Sequence, residues 1–345
     1  MRRKLGFVSV GIMLLTTLAV VQTPARAGAA AAGTPSASAT VAEARATIHG
    51  RVSTDADSAA SAGNAYWTPE RMRAARPAPM PDGVDTFDGE AADRPGRVGA
   101  ARDVATPTPP RSSATGVRAA VGGGSQGTQA VNASPGVGRV FFTHNDEDFF
   151  CSGGTINNPQ ANMVSTAGHC VHPGDGGSVW HDNWAYAPEY TEGEALHGLW
   201  FAKEFTSVEG WVDWGYLWWD FAFVTMHPRK GDRLVHVTGG QGLSVNKSKS
   251  LSAMLLGYPG EDPYDGLSQY YAQGTTKAAG VQRIKLKDCP LNHGASGGPF
   301  LRAWDNALRF GYVNSVMSYK YSGNMYGPYF DDDVLDIYNV AKNKQ

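Results

Sequence analysis

The chain has 345 residues, a formal net charge of −2 at pH 7 and 42% hydrophobic residues. The near-balanced charge argues against a polyanionic partner such as nucleic acid. After residues 1–27, no stretch approaches the roughly 20 consecutive apolar residues that a membrane-spanning helix needs. We therefore expect neither a nucleic-acid-binding protein nor a membrane domain.

Residues 1–27 predict a secretory signal peptide. The basic sequence RRK at residues 2–4 precedes an apolar run at residues 5–21, and the small-x-small sequence ARA follows at residues 25–27. A basic start, a short apolar segment and a small-residue cleavage site are typical of such a peptide. We expect a secreted, extracellular protein.

Residues 28–130 predict a pro-region that is largely disordered. They are rich in Ala, Gly, Pro, Ser and Thr and contain no cysteine, so they offer little apolar surface to offset the entropy of folding. One short helix is predicted at residues 67–75, WTPERMRAA, because Thr68 can cap it, Pro69 suits its first position and Glu70 favours its N-terminal end. The alternative is a plain disordered linker.

Residues 131–345 predict one β-rich domain. Aromatic residues become frequent, and all three cysteines lie here. Stretches such as GRVFFT and DFAFVTM are typical of short strands. Many short strands without alternating helices indicate a barrel or a sandwich rather than a parallel sheet. The one convincing helix is the last segment, residues 332–343, which Asp332 or Asp333 can cap.

Three stretches of this domain carry candidate catalytic residues: STAGHC with His169, WWDFAFVTM with Asp220, and NHGASGGPF with Ser296. A serine nucleophile needs backbone N–H groups aimed at the developing oxyanion, and flanking glycines allow that approach. The N–H groups of Gly294 and Ser296 are the natural pair. An aspartate that enters an apolar run needs a partner, which the imidazole of His169 can supply. Taken singly, each stretch also fits an ordinary strand end or turn.

The chain order of the three candidates narrows the choice. The Ser-His-Asp constellation occurs in three orders on unrelated folds, and the order His, Asp, Ser belongs to the chymotrypsin double barrel. The motifs TAGHC, DFAFV and GASGGP each match that family. The domain therefore resembles the chymotrypsin-like (trypsin-like) serine proteases. The sequence GYPG at residues 257–260, and a cysteine seven residues before Ser296, resemble the bacterial secreted, glutamyl-endopeptidase-like members.

The resemblance implies an all-β double six-stranded barrel with a C-terminal helix, and it implies the site. His169 is expected as the general base, Asp220 as the carboxylate that orients it and Ser296 as the nucleophile. Gly294 and Ser296 are expected to form the oxyanion hole. The expected activity is hydrolysis of protein or peptide substrates through an acyl-enzyme. The alternatives are a catalytically silent binding protein on the same barrel and an esterase that uses the same triad.

The resemblance also assigns the cysteines. Cys151 and Cys170 match the disulfide that brackets the histidine strand, and a secreted chain permits that bond. Cys289 is then left as a buried free thiol or as an intermolecular link. We expect a monomer, no cofactor and no metal.

The substrate pocket is the least determined part of the expected site. Residues that match the pocket positions of the family are Pro290, Leu291, Asn314, Ser315, Val316, Gly327 and Tyr329. No acidic residue stands at the pocket base, so Arg and Lys are not expected as dominant P1 residues. A neutral pocket is favoured, and a glutamyl pocket with His293 or Lys320 as its positive group stays open.

Two further features bear on this domain. The tryptophan-rich segment at residues 180–219 fits either core packing or a substrate platform. Ala295 precedes Ser296 and offers no carboxylate. A new N-terminal ammonium buried at this position would need a charged partner. We therefore expect the oxyanion hole to form without an N-terminal ion pair.

Overall fold

The structure of the protein is a computed structural model that describes residues 40–81, 97–111 and 133–345. The predicted signal peptide lies outside the described residues, as does part of the predicted pro-region. All of the described residues fall in one compact unit. None of the helices in the described ranges is long and apolar enough to cross a membrane.

The described part of the predicted pro-region is ordered. Its elements are β1 (Val41–Arg45), β2 (Thr47–Ile48), β3 (Arg51–Val52), α1 (Ala56–Tyr66), α2 (Pro69–Ala74), β4 (Arg76–Pro77) and β5 (Arg102–Ala105). The short helix predicted at residues 67–75 is present as α2, and the Thr68 side chain caps it by accepting from the Arg71 N–H. The expectation of otherwise disordered chain is wrong for residues 40–81 and 97–111.

The physical reason for this difference is that the segment does not fold alone. Composition predicts disorder when a chain must bury its own apolar surface. Here β1 pairs with a strand at residues 200–208, and Trp67 is 2% exposed against the following domain. The segment therefore gains its order from strands and apolar surface that belong to residues 133–345.

The following domain is built mainly of strands. Its strands are β6 (Val137–His144), β7 (Glu147–Ile156), β8 (Met163–Thr166), β9 (Asp182–Pro188), β10 (Trp200–Val208), β11 (Ala222–Met226), β12 (Gly242–Val245), β13 (Ser252–Gly257), β14 (Tyr270–Thr275), β15 (Lys277–Ala278), β16 (Arg283–Leu286), β17 (Pro299–Asp305), β18 (Phe310–Val316), β19 (Tyr319–Tyr321) and β20 (Asn324–Pro328). Its helices are α3 (Glu209–Val212), α4 (Leu234–Thr238) and α5 (Asp332–Ala341).

The first half of the domain is a closed barrel. Its strands follow the order β10-β11-β8-β7-β6-β9, and β9 pairs again with β10, which closes the ring. β1 and β4 of the preceding segment attach to β10 and β7. The strands are buried almost throughout, so their sequences read as apolar runs rather than as a strict alternation.

The second half contains two sheets. One has the order β14-β13-β17-β18-β12-β5, and the other has the order β15-β16-β20-β19. The closed first barrel, the two sheets of the second half and the C-terminal helix confirm the predicted all-β, chymotrypsin-like fold. Helix α5 returns to the first barrel, where the Tyr338 ring packs edge-on against Phe223 at 5.8 Å. The residue that caps α5 is Asp331, rather than Asp332 or Asp333.

Most of the tryptophan-rich segment is core. Trp184, Trp200 and Trp211 are among the largest fully buried side chains. Trp214 is the exception at 69% exposed, and its ring is roughly parallel to that of Tyr216 at 6.4 Å. Packing between elements therefore accounts for these three residues of the segment.

Candidate active site

His169 lies in a tight turn at the end of a barrel strand. β8 ends at Thr166, and residues Gly168–Cys170 form one 3₁₀ turn. A Cβ on Gly168 would lie 2.7 Å from the Trp211 ring, so only glycine fits there. Cys170 is bonded to Cys151 of β7. The turn that carries His169 is thus fixed on both sides, by a ring packed on Gly168 and by a covalent link.

Asp220 holds His169 by two hydrogen bonds. Its Oδ1 accepts from the His169 backbone N–H at 2.7 Å, and its Oδ2 lies 2.8 Å from His169 Nδ1. A carboxylate accepts, so Nδ1 carries the hydrogen and Nε2 is left as the acceptor. Asp220 is 0% exposed and also accepts from Ser318 Oγ at 2.6 Å. This buried carboxylate therefore has three donors.

The loop around Ser296 is shaped by its glycines. Gly294 has φ of +90°, and a Cβ there would lie 2.4 Å from the Phe150 ring. Gly297 has φ of +79°, and a Cβ there would lie 2.1 Å from Thr166 Oγ1. Both positions require glycine for backbone conformation and for space. The close approach to Thr166 also brings the serine loop next to the end of β8, just before His169.

Two backbone N–H groups of this loop are available. Among the described residues, neither the Gly294 N–H nor the Ser296 N–H donates to any acceptor. The His293 carbonyl accepts from the Gly260 N–H at 2.8 Å. Because a trans peptide points its C=O and N–H in opposite directions, this bond turns the Gly294 N–H away from Gly260. The Gly294 carbonyl is held in turn by Ser152 Oγ at 2.9 Å.

The reactive atoms of the two side chains are free. Ser296 Oγ and His169 Nε2 are both buried, and neither has a hydrogen-bond partner among the described residues. The Ser296 carbonyl accepts from the Ser152 N–H at 2.7 Å, which ties the loop to β7. A hydrogen bond between nucleophile and base is often long in a free enzyme and tightens when substrate binds. The arrangement offers a hydroxyl, an accepting imidazole nitrogen and two unengaged N–H groups, which are the parts that acyl transfer needs.

Solved structures share this fold and part of this sequence. Protease Anisep from Arthrobacter nicotinovorans is 32% identical, with a TM-score of 0.58 over 62% of this chain and 98% of that one. The thermostable serine protease AL20 from an extremophilic microorganism is 31% identical, with a TM-score of 0.58 over 61% of this chain and 99% of that one.

The chain belongs to the chymotrypsin-like serine proteases.

A third structure, a Glu endopeptidase in complex with MPD, is 19% identical with a TM-score of 0.50 over 62% of this chain and 94% of that one, and this likeness concerns the fold alone. No protein-family profile and no curated protein matches the sequence.

Ser318 of this serine protease was not singled out from the sequence. Its hydroxyl is 0% exposed and bonds Asp220, which lies 98 residues earlier in the chain. The sequence VMSY around it carries no motif, so only its place between β18 and β19 reveals the contact. The one usable signal was that a buried aspartate needs more donors than a single histidine provides.

The predicted pocket residues of the protease fall into two groups. Pro290 and Leu291 lie in the loop before Ser296, where Leu291 is 0% exposed. The others lie on or beside β18 and β20 and bond to neighbours in the second half of the domain. Asn314 Oδ1 accepts from Ser244, Ser315 Oγ donates to the Pro328 carbonyl, and Tyr329 donates to the Lys247 carbonyl. Gly327 packs closely on Ser315 and Val316. Among the described residues, none of this second group forms a hydrogen bond with a triad side chain.

The remaining cysteine, Cys289, lies outside the disulfide. Cys289 is a free thiol that is 2% exposed, and burial raises its pKa to about 11.

In the described ranges, the one set of His, Cys, Asp or Glu atoms close enough to share a metal ion is Cys151, His169 and Cys170. The two cysteines are bonded to each other, so they offer no thiolate.

Proposed function

We propose that this protein is a secreted serine endopeptidase, made with an N-terminal pro-region, that cleaves peptide bonds through His169, Asp220 and Ser296. The observation that carries the proposal is the Asp220–His169 pair at 2.8 Å beside a serine whose loop leaves two backbone N–H groups free. Membership of the serine proteases supports it.

The reaction follows from which atoms can donate and which can accept. Ser296 Oγ attacks the peptide carbonyl carbon while His169 Nε2 takes its proton. Asp220 holds the Nδ1–H tautomer and stabilises the imidazolium that forms. The carbonyl oxygen becomes an oxyanion, which the N–H groups of Gly294 and Ser296 stabilise. Collapse transfers the proton from Nε2 to the leaving amine and leaves an acyl group on Ser296.

The second half of the cycle repeats these roles with water. His169 Nε2 takes a proton from a water molecule, the resulting hydroxide attacks the acyl carbon, and Ser296 is released with its proton restored. The oxyanion hole needs no N-terminal ion pair in this scheme. The bond from the Gly260 N–H to the His293 carbonyl supports that view, because it orients the Gly294 N–H without any charged group.

Secretion and a removable pro-region are supported by separate observations. The signal-like residues 1–27 and the Cys151–Cys170 disulfide fit an oxidising, extracellular compartment. Protease Anisep is covered over 98% of its length by only 62% of this chain. More than a third of this chain is therefore absent from that crystal structure, as expected for a segment that a mature enzyme does not need.

The test is cleavage of a mixed peptide library by the full-length chain and by the variants Ser296→Ala, His169→Ala and Asp220→Asn, read by mass spectrometry. Each variant should lose roughly 10⁴-fold or more in kcat/KM, because the three side chains act together as one catalytic triad. Ser250→Ala, an exposed serine of the same domain, should retain the wild-type rate. Equal rates in Ser296→Ala and wild type would refute the proposed nucleophile.

The same library tests specificity and separates the alternatives. Arg and Lys should not dominate at P1, because Pro290 and Leu291 supply no carboxylate to pair with them. A preference of more than tenfold for either would overturn the pocket assignment. Cleavage of a small ester but not of the matching small amide, neither with residues after the scissile bond, would favour an esterase. A folded protein that cleaves neither would favour a binding protein.

A further inference from the structure

Residues 75–81, ARPAPMP, lie along the first barrel beside His169, and we call them the strap. β4 of the strap pairs in parallel with β7, with Arg76 opposite Phe149 and Pro77 opposite Phe150. The Ala78 N–H then donates to the Phe150 carbonyl at 2.8 Å. Phe150 precedes Cys151, which is bonded to the residue after His169. The strap thus occupies the strand edge nearest the disulfide and the base.

The strap also closes one side of a cavity that contains the base. Ala78 and Met80 are 2% and 7% exposed, whereas Pro79 between them faces solvent. Residues 78–81 line a cavity of about 340 Å³ together with His169, His181 and Trp211. The alternation of buried and exposed residues is that of an extended peptide seated on a sheet edge.

Contacts upstream of the strap hold it in register. Trp67, 2% exposed, donates from its Nε1 to the Asn183 carbonyl at 2.6 Å. Arg71 pairs with Asp148 at 2.8 Å and Arg73 with Glu194 at 2.9 Å. Exposed ion pairs of this kind contribute little by themselves, so the buried tryptophan is the main anchor. These contacts fix helix α2 on the domain, and α2 in turn holds the strap at the cavity.

The position of the strap conflicts with the reaction. His169 gives its proton to the leaving amine, so the half of the substrate that leaves must lie beside His169, where residues 78–81 line the cavity. The prolines at positions 77, 79 and 81 fix the strap in an extended form and leave Ala78 and Met80 as the N–H donors among residues 77–81. The Ala78 donor is already used on the Phe150 carbonyl.

We propose that the edge of β7 at residues 149–150 and the adjoining cavity at His169 form a binding surface for an extended peptide with alternating prolines, and that the strap fills this surface and inhibits the enzyme. The inference rests on the proposed function. It assigns the described part of the pro-region a direct role at the site: the strap excludes the leaving half of a peptide substrate until it is released.

The test compares Met80→Asp with Ala74→Asp in the full-length chain. The first variant places a carboxylate in the cavity and should expel the strap. The second places the same charge at an exposed residue of α2, outside the strap and the cavity. The substrate is an internally quenched peptide with four residues after the scissile bond, and a small chromogenic ester without such residues is the comparison. Intact mass confirms that the chain is uncut during the assay.

Met80→Asp should cleave the long peptide at least tenfold faster than wild type, with a change of threefold or less on the small ester. Ala74→Asp should stay within twofold of wild type on both substrates. Added peptide of residues 75–81 should slow Met80→Asp on the long peptide. If Met80→Asp does not fold, Ala78→Pro, which removes the N–H that binds the Phe150 carbonyl, takes its place with the same expectation.

Hydrogen exchange of the strap amides shows whether the strap has left. Faster exchange without faster cleavage of the long peptide would overturn the proposal, as would a wild-type chain that cleaves as fast as the variant. Failure of the proposed function looks different, since Ser296 would then react with a fluorophosphonate in neither chain. That outcome would also remove the basis of the inhibitory role.

Discussion

The backbone of His169 is held at both ends of its residue. Its N–H donates to Asp220, and its carbonyl accepts from His181 Nε2 at 3.1 Å. A carbonyl only accepts, so Nε2 of His181 carries the hydrogen. The His181 ring stacks on Phe142 at 4.3 Å, and burial lowers its pKa to about 3. His181 is therefore a neutral donor at any working pH and a positioning residue for the base.

Replacing His181 with Phe should reduce kcat by about tenfold with little change in KM, because loss of the donor lets the His169 turn shift by a fraction of an ångström. His181→Gln retains an N–H donor and should recover part of the loss. Steady-state kinetics on one peptide substrate measures both. Equal losses in the two variants would show that ring packing, rather than the hydrogen bond, is what matters.

Cys289 should be inert in the folded protein. Burial raises the pKa of its thiol to about 11, so the reactive thiolate is scarce at pH 8, and the side chain is 2% exposed. Iodoacetamide at pH 8 should modify no cysteine in native protein and one after unfolding without reductant. A covalent dimer on a non-reducing gel would instead support the intermolecular link.

At this scale the sequence predicted what local motifs carry. His169, Asp220 and the Cys151–Cys170 bond each stand in a recognisable stretch, and the structure brings the first two together. Ser318 and His181 stand in no motif. Their roles arise because separate strands and loops converge on His169 and Asp220, and a pattern read along the chain does not contain that convergence.

Helix α5 is capped by Asp331, an aspartate whose ionisation is unfavourable in the folded protein. The Asp331 side chain caps the helix by accepting from the Asp333 N–H at 2.9 Å. Burial, with the nearby charge of Asp333, raises the pKa of Asp331 from 3.8 to about 6. The folded state therefore binds more protons than the unfolded state between these values, and this group's contribution to stability falls as pH rises from about 4 to about 6.

Asp331→Asn should stabilise the protein at pH 7.5 by on the order of 2 kcal/mol and have little effect at pH 4, because Asn keeps the capping oxygen but cannot ionise. Urea unfolding at the two pH values measures the difference. Asp213→Asn, at an exposed aspartate, should show no such pH-dependent gain. Destabilisation at both pH values would mean that the carboxylate stabilises the helix.

Element predictions failed where a segment borrows its partners. α2 carries its own signals, a capping Thr68 and Pro69 in the first turn, and was predictable. β1 and β5 are strands of five and four residues, exposed or half-buried, whose pairing depends on β10 and β12. Their sequences hold no period that distinguishes them from a loop, so no reading of residues 40–81 and 97–111 in isolation could find them.

Across the described part of the molecule, residues 40–81 and 97–111 contact both halves of the following domain. β1, α1, α2 and β4 lie against the first barrel, whereas β5 extends a sheet of the second half, opposite β12. Arg97 pairs with Asp333 of α5 at 3.4 Å, and α5 itself packs on the first barrel. The described part of the predicted pro-region is therefore part of the fold of this chain, which is why the strap lies at the site.

Covalent labelling by a fluorophosphonate tests most directly whether Ser296 is an activated nucleophile. Full-length wild type, Met80→Asp and Ser296→Ala, each treated with a fluorophosphonate, are compared by intact mass and by peptide mapping. We expect one adduct, on Ser296, in the first two chains, formed at rates within about threefold of each other, and none in Ser296→Ala. An adduct on another residue, or no adduct in well-folded wild type and Met80→Asp, would contradict it.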